Sequence, residues 1–165
     1  MRYIILCLLC LFSVEGISQI RNISFKEKLD STYRNTIPLL SVKEFKKFDK
    51  HNFYILDARE SEEFDVSHLK NARHVGYYWF DMRTVYDIPY DATVVVYCTI
   101  GTRSEKIAEK LQRAGYDCVF NLYGGILEWV NTGNPVYKSN GVQTSEVHTY
   151  SRELSRWAER GSKVF

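Results

Sequence analysis

Short apolar runs recur along the chain, separated by longer polar segments in which apolar residues return at helical spacing. The clearest run extends from Val94 to Tyr97, and four consecutive apolar residues are typical of a strand buried on both faces of a parallel sheet. Further strands are predicted at 37–40, 53–56, 71–75 and 117–122. Because these strands alternate with helical segments, the pattern indicates an α/β fold, a small parallel β-sheet with helices on both faces.

Capping patterns predict where the helices begin. Ser41 is followed three residues later by Glu44, and Thr102 by Glu105, which is the spacing of a capping box. The second pattern predicts a helix that begins near Arg103, directly after the apolar strand. The first helix is expected to run through about Lys50, the second to end at Gly115, and a third to follow the turn at Gly124 and Gly125.

Both ends of the chain lie outside this alternating pattern. Residues 19–35 are a polar lead-in with isolated aromatic residues; the pattern does not assign their fold, and a short helix is one interpretation. Residues 137–165 carry Tyr150, Leu154 and Trp157 at helical spacing among charged residues. This stripe predicts a helical C-terminal tail packed on the domain's own apolar surface, and a helix that binds a partner is the alternative.

Residues 1–18 have the pattern of a signal peptide. Arg2 precedes an apolar run, and the small residues Gly16 and Ser18 suit cleavage before Gln19. The apolar run is shorter than the roughly 20 residues that span a bilayer, so a retained anchor is the less favoured alternative. The sequence therefore predicts an exported protein, periplasmic or secreted, with no stable membrane span after cleavage.

Composition limits the remaining possibilities. A chain of 165 residues with 45% hydrophobic residues suits one packed domain, and we expect a monomer. The 22 Lys and Arg residues are interspersed with 20 Asp and Glu residues, so no basic stripe for nucleic acid is predicted. Outside the leader only Cys98 and Cys118 remain, too few for a four-cysteine zinc site. We expect no metal and no cofactor, and no disulfide because the two cysteines lie at opposite ends of neighbouring strands.

Cys98 is the candidate nucleophile. It follows the buried strand at the carboxyl end, and a four-residue loop, 99–102, connects it to the next helix. Backbone N–H groups and the positive end of that helix would point at its sulfur, and Arg103 adds a positive charge. This arrangement favours the thiolate, which is the reactive form of cysteine.

Three motifs resemble the rhodanese family of sulfurtransferases. The stretch Cys98-Thr99-Ile100-Gly101-Thr102-Arg103-Ser104 is similar to the family's active-site loop. Asp57-Ala58-Arg59 with Glu63-Phe64 and His68-Leu69 resembles the upstream signature, although Ser67 stands where the family often has glycine. Gly124-Gly125 with Trp129 resembles the closing motif. The resemblance spans residues 36–136 and implies a single rhodanese-like domain.

The resemblance implies a mechanism for the loop. Cys98 would attack the outer sulfur of a donor such as thiosulfate and carry that sulfur as a persulfide to a thiol or cyanide acceptor. The backbone of Thr99 to Ser104 would cradle the persulfide, and Arg103 would help to bind the anionic donor. The expected partners are a small sulfur donor and a thiol acceptor, either a small molecule or a redox protein.

Two other functions compete with sulfur transfer. Phosphatases and arsenate reductases of the same fold have five residues between cysteine and arginine, whereas Cys98 and Arg103 have four between them. A loop with one amide fewer suits a sulfur atom better than a phosphate. The other alternative is an exported binding or sulfur-carrier module without useful turnover, and the presence of Cys98 disfavours an inactive module.

Three further features have two interpretations each. In one interpretation Arg59 and Asp57 lie in a second layer around the loop, and the charge of Arg59 contributes a positive potential at Cys98. In the other, Arg59 forms a structural ion pair with Asp57 or Glu63. His68 is expected to be a hydrogen-bonded turn residue rather than a catalytic one. The aromatic residues 77–80 are expected to pack in the core, with one or two rings at the pocket mouth as the alternative.

Overall fold

A computed structural model describes residues 22–48 and 53–165. Its centre is a five-stranded parallel sheet in the order β1-β5-β4-β2-β3. The strands are β1 Leu39–Leu40, β2 Phe53–Asp57, β3 Arg73–His74, β4 Thr93–Tyr97 and β5 Cys118–Leu122. Helices surround this sheet, so the predicted α/β class and parallel sheet are confirmed.

Strand β4 occupies the middle of the sheet. Its last four residues are fully buried, because the strand pairs with β2 on one side and β5 on the other. The register sets Asp57 opposite Tyr97, so β2 and β4 end at the same edge. Cys98 follows at this carboxyl edge, where open parallel sheets carry their functional sites.

The described residues also form six α-helices. They are α1 Ile23–Thr32, α2 Val42–Phe45, α3 Ser61–Val66, α4 Thr102–Arg113, α5 Gly125–Asn131 and α6 Arg152–Ser155. The longest, α4, buries Ile107, Ala108 and Leu111 completely against the sheet, as the helical spacing predicts. The helix gives way at Ala114 to Gly115, whose φ of +102° lies in the left-handed region that glycine adopts without strain.

The start of α4 differs from the prediction. Gly101 is the N-cap residue, and no side chain caps the helix, so the predicted capping box of Thr102 and Glu105 is wrong. The carboxylate of Glu105 is 2% exposed and instead accepts hydrogen bonds of 3.0 Å from the backbone N–H groups of Arg34 and Thr36. It thereby ties the segment before β1 to α4.

The C-terminal tail contains several short strands and one short helix rather than a single long helix. β6 Val136–Tyr137 and β7 Gln143–Thr144 form an antiparallel hairpin, and β8 Glu146–His148 pairs in parallel with β9 Ser162–Val164. A single helix carrying Tyr150, Leu154 and Trp157 is therefore a wrong prediction. Trp157 does stack on Phe25 of α1, with ring centroids 5.6 Å apart, and Tyr137 pairs with His68 in an isolated β-bridge, so the tail packs on the domain.

Several predicted boundaries shift. The capping box of Ser41 and Glu44 is present, but α2 ends at Phe45 rather than near Lys50. β1 is only Leu39–Leu40, because Pro38 lacks the N–H that would extend the pairing. The predicted signal peptide lies outside the described residues, and within those residues no helix is long and apolar enough to cross a membrane.

Cys98 and Cys118 are far apart in the sheet. Cys118 pairs in register with Thr93, the first residue of β4, whereas Cys98 follows the last residue of that strand. At about 3.3 Å per residue along a strand, the separation exceeds the roughly 7 Å between Cα atoms that a disulfide allows.

Candidate active site

The Cys98 side chain is 1% exposed and points into the loop that connects β4 to α4. The backbone N–H of Gly101 donates a hydrogen bond of 3.1 Å to its Sγ. Because this donor lies at the N-cap of a twelve-residue helix, the sulfur also faces the positive end of the helix dipole. The structure thus places a backbone donor and a helix N-terminus at the Cys98 sulfur.

Neighbouring elements hold the loop from two sides. The hydroxyl of Tyr33 donates to the carbonyl of Ile100 and accepts from the backbone N–H of Gly124 at 2.8 Å. On the other side, the amide of Asn121 donates to the carbonyl of Gly101 at 2.9 Å. These buried hydrogen bonds fix carbonyl groups that would otherwise be free to turn toward the sulfur.

The start of α5 packs directly on the loop. Ile126 N–H donates to the carbonyl of Cys98 at 2.9 Å, and Leu127 N–H donates to that of Thr99 at 3.3 Å. Gly125 has a φ of +56°, and a Cβ atom built on it would lie 2.3 Å from the Cys98 carbonyl oxygen. Only glycine allows this close approach of two backbones, which explains the second glycine of the closing motif.

Arg103 forms a bidentate ion pair with Glu63 on α3. Its two terminal nitrogens lie 2.6 and 2.7 Å from the carboxylate oxygens, and Nη2 also donates to the Thr99 hydroxyl at 2.9 Å. Burial disfavours the charge of Glu63, but the hydrogen bond and charge of Arg103 outweigh it and lower the pKa of Glu63. The positive charge of Arg103 is therefore balanced within the protein.

Arg59 and Asp57 form a second, fully buried ion pair. Both side chains are 0% exposed, and Arg59 Nη2 lies 2.6 Å from Asp57 Oδ2. The same nitrogen donates to the carbonyl of Ser67. This structural ion pair is the second of the two interpretations offered for Arg59, and it leaves little net charge to act on Cys98.

Ser67 needs no glycine-like conformation. Its φ of −168° and ψ of 142° are those of extended backbone, which every residue adopts. His68 behaves as expected for a structural residue: its ring stacks on Phe64 at 3.9 Å, and Nδ1 lies 3.0 Å from the Phe64 carbonyl oxygen. The aromatic cluster divides, because Tyr78 and Trp79 are mainly exposed, contrary to the predicted packing.

The structure brings the predicted loop residues together around the sulfur and adds residues that sequence reasoning missed. Thr99, Ile100 and Ser104 are buried, and Ser104 Oγ donates to Asn121 at 2.7 Å. Glu63 was visible in the upstream motif, but nothing in the sequence indicated Arg103 as its partner. Tyr33 and Asn121 carry no sequence signal for a role at the loop, since each acts through hydrogen bonds to residues distant in the sequence.

Two residues of the C-terminal tail also reach this site. The ring centroid of Tyr150 lies 4.7 Å from Arg103 Cζ, and His148 Nδ1 lies 3.9 Å from Glu63 Oε1. Burial is the main cause that lowers the pKa of His148, so its ring is mostly uncharged at neutral pH. Over residues 22–48 and 53–165, no group of three or more His, Cys, Asp or Glu side chains is arranged to hold a metal ion.

Comparison with known proteins agrees with this geometry. The model of the rhodanese-like domain family matches residues 41–132, more than half of the chain. The chain belongs to the rhodanese-like domain family. A sulfurtransferase from Allochromatium vinosum is 31% identical to this rhodanese-like domain over 93 residues, which are 56% of the chain and 86% of that relative.

Other relatives are longer proteins. A tRNA uridine(34) hydroxylase from the Onion yellows phytoplasma is 29% identical over 127 residues, which are 71% of this chain but 40% of that relative. A solved thiosulfate sulfurtransferase from Pseudomonas aeruginosa superposes with a TM-score of 0.58 at 21% identity, covering 82% of this chain and 26% of its own. This rhodanese-like domain thus spans less than half the length of several proteins it resembles.

Proposed function

We propose that this rhodanese-like domain is a sulfurtransferase that carries sulfane sulfur as a persulfide on Cys98. The observation that supports it is the Cys98 sulfur, buried in the family's loop and hydrogen-bonded to the Gly101 N–H at the start of α4. The sulfurtransferase from Allochromatium vinosum, similar over most of its own length, supports the same chemistry.

The reaction would proceed in two displacements. The Cys98 thiolate attacks the outer sulfur of a donor such as thiosulfate; the sulfur–sulfur bond of the donor breaks, and sulfite leaves with its electron pair. Cys98 then carries one extra sulfur as a persulfide anion. A thiolate acceptor or cyanide attacks that outer sulfur, and the Cys98 thiolate is regenerated.

The loop residues would serve this cycle mainly through the backbone. The Gly101 N–H donates to the sulfur at the positive end of α4, where a preorganised donor stabilises an anion without reorganisation. Glu63 and Arg103 hold the two ends of the loop together through Thr99, so we assign them to loop positioning. This assignment replaces the direct donor contact that the sequence suggested for Arg103.

Phosphatase activity has less support. The loop has four residues between Cys98 and Arg103, and the arginine that would bind phosphate oxygens in a phosphatase is already paired with Glu63. The hydroxylase activity named for the phytoplasma relative belongs to a protein of which this chain covers 40%. We do not extend that activity to the present chain.

Mass spectrometry of Cys98 tests the proposal. After incubation with excess thiosulfate or cysteine persulfide, the peptide containing Cys98 should gain one sulfur, about 32 Da, because its thiolate is the activated nucleophile. A following thiol acceptor should remove it. The Cys98→Ser variant should gain nothing, and the Cys118→Ser variant should behave like the wild type. If neither donor modifies Cys98, the sulfurtransferase assignment is wrong.

A further inference from the structure

The backbone of Tyr150 adopts an unusual conformation next to the catalytic loop. Its φ is +68°, in the left-handed region that a bulky side chain rarely occupies. Such strain persists only where the surrounding structure enforces it, and it concentrates at functional sites. Tyr150 is therefore a residue whose position in this fold calls for a functional explanation.

The flanking residues enforce this conformation. Thr149 is fully buried, and its N–H donates to the carbonyl of Val164 at 2.7 Å, which continues the pairing of β8 with β9. The N–H of Tyr150 then donates to His148 Nδ1 at 3.1 Å, and the N–H of Ser151 donates to the Thr149 carbonyl. The tail is thus anchored on both sides of the strained residue.

The strained backbone places the Tyr150 ring over the guanidinium of Arg103. The distance of 4.7 Å from Arg103 Cζ to the ring centroid is that of a cation–π contact. The opposite edge of the guanidinium is occupied by Glu63, and the Arg103 side chain is 12% exposed as a result. Tyr150 and Glu63 together leave little of the positive charge accessible from solvent.

This enclosure matters for the donor. Thiosulfate carries two negative charges, and an accessible arginine would attract it. The reacting end of a persulfide carries at most one charge, and the loop amides alone can accommodate it. A site whose nearby arginine is covered should therefore discriminate against the dianion.

We propose that Tyr150 is a positioning residue that determines donor specificity, holding Arg103 against Glu63 so that the site favours persulfide donors over thiosulfate. The inference rests on the proposed function, and it assigns a role to a residue beyond the matched family segment, residues 41–132. In this reaction the Cys98 thiolate attacks the terminal sulfur of R–S–SH, the sulfur–sulfur bond of the donor breaks, and R–S⁻ leaves.

Steady-state kinetics on Tyr150 variants test this role. Tyr150→Gly removes the ring and accepts the positive φ without strain, whereas Tyr150→Phe keeps the ring and serves as the matched control. With Tyr150→Gly, the KM for thiosulfate should fall about two- to fivefold, the range set by a cation–π contact of this kind. The KM for cysteine persulfide should not change. Tyr150→Phe keeps the ring but loses the hydrogen bond of its hydroxyl with Tyr78, so its KM for thiosulfate should change less than that of Tyr150→Gly.

The salt dependence of thiosulfate turnover distinguishes this electrostatic role from a purely structural one. In Tyr150→Gly, thiosulfate turnover should become more sensitive to ionic strength than in the wild type, because an accessible charge is screened by salt. If Tyr150→Gly does not fold, Tyr150→Asn replaces it, since asparagine also tolerates the left-handed region.

Three outcomes would overturn the inference while leaving sulfur transfer intact: equal changes of KM for both donors, a Tyr150→Phe variant that behaves like Tyr150→Gly, or a wild type that prefers thiosulfate. Failure of the proposed function itself looks different. In that case neither donor would load Cys98 of the wild type in the mass spectrum, whatever residue stands at 150.

Discussion

The pH dependence of stability tests how burial and a nearby charge shift the pKa of Glu128, a residue of the helix that supports the loop. It lies in the first turn of α5 and is 5% exposed. Burial, and then the nearby Glu159 carboxylate, raise the pKa of Glu128 from 4.5 to about 7. The folded protein therefore holds this proton more tightly than the unfolded chain does.

The sign of the pH dependence follows from that difference. Below about pH 4.5 Glu128 is protonated in both states, and its contribution to stability is fully present. As the pH rises to about 7, only the unfolded state loses the proton, and the free energy of unfolding decreases. At 1.36 kcal/mol per pH unit, the interval from 4.5 to about 7 corresponds to a loss of at most ~3 kcal/mol.

Glu128→Gln should remove this loss because glutamine stays neutral. At pH 8 the variant should exceed the wild type in free energy of unfolding by up to ~3 kcal/mol, equivalent to roughly 6 to 12 °C in Tm for a chain of this size. At pH 4.5 the two proteins should be nearly equal. Urea denaturation followed by circular dichroism at both pH values measures the difference.

Glu159→Gln is the control, because it removes only the second and smaller cause of the raised pKa. Its gain at pH 8 should be clearly less than that of Glu128→Gln. If the wild type and Glu128→Gln differ by the same amount at pH 4.5 and pH 8, Glu128 does not titrate in this interval, and the reasoning from burial fails.

Three other variants probe the backbone contact, the buried ion pair and an unpartnered hydroxyl. Gly125→Ala should lower sulfur transfer more than tenfold, because its Cβ would strike the loop backbone; Gly141→Ala, with a similar positive φ and open space around it, should cost stability alone. Asp57→Asn leaves a buried guanidinium unpaired and should cost about 3 to 5 kcal/mol in urea denaturation, whereas Asp87→Asn, from a surface pair, should change little. Ser67→Ala removes a buried hydroxyl without a hydrogen-bond partner among the described residues, so it should stabilise the protein by about 1 kcal/mol.

Each variant has a result that would contradict its basis. Equal losses of turnover in Gly125→Ala and Gly141→Ala would mean that backbone strain, and not the contact with the loop, limits activity. A small effect of Asp57→Asn would mean that water reaches the buried arginine. A destabilised Ser67→Ala would show that the hydroxyl has a partner after all.

Local patterns predicted the centre of this fold well. Val94 to Tyr97 form a buried strand, as a short apolar run with three β-branched residues predicts. The cysteine after them lies at the sheet edge because parallel strands end together. A local signal also predicted the end of α4, because the left-handed backbone after the helix favours glycine at position 115.

The errors arise where distant residues compete for the same group. Glu105 matches a capping box locally, but the unpaired N–H groups of residues 34 and 36 attract its carboxylate in the folded chain. Likewise, the spacing of Tyr150 and Trp157 fits a helix, although pairing between β8 and β9 determines the backbone there. The partner of Arg103 could not be read from spacing, since Glu63 lies 40 positions earlier.

The hydroxyl of Tyr33 shows that the shortest fragment able to hold the loop extends beyond the family segment. Tyr33 precedes residues 41–132, the segment shared with the family, yet it bridges the loop after β4 to the turn before α5. The loop is thus held in part by a residue that lies outside the shared segment. A fragment trimmed to residues 41–132 would keep every residue of the family motifs and still lose this bridge. The segment shared with the family is therefore shorter than the part of the chain that folds as one unit.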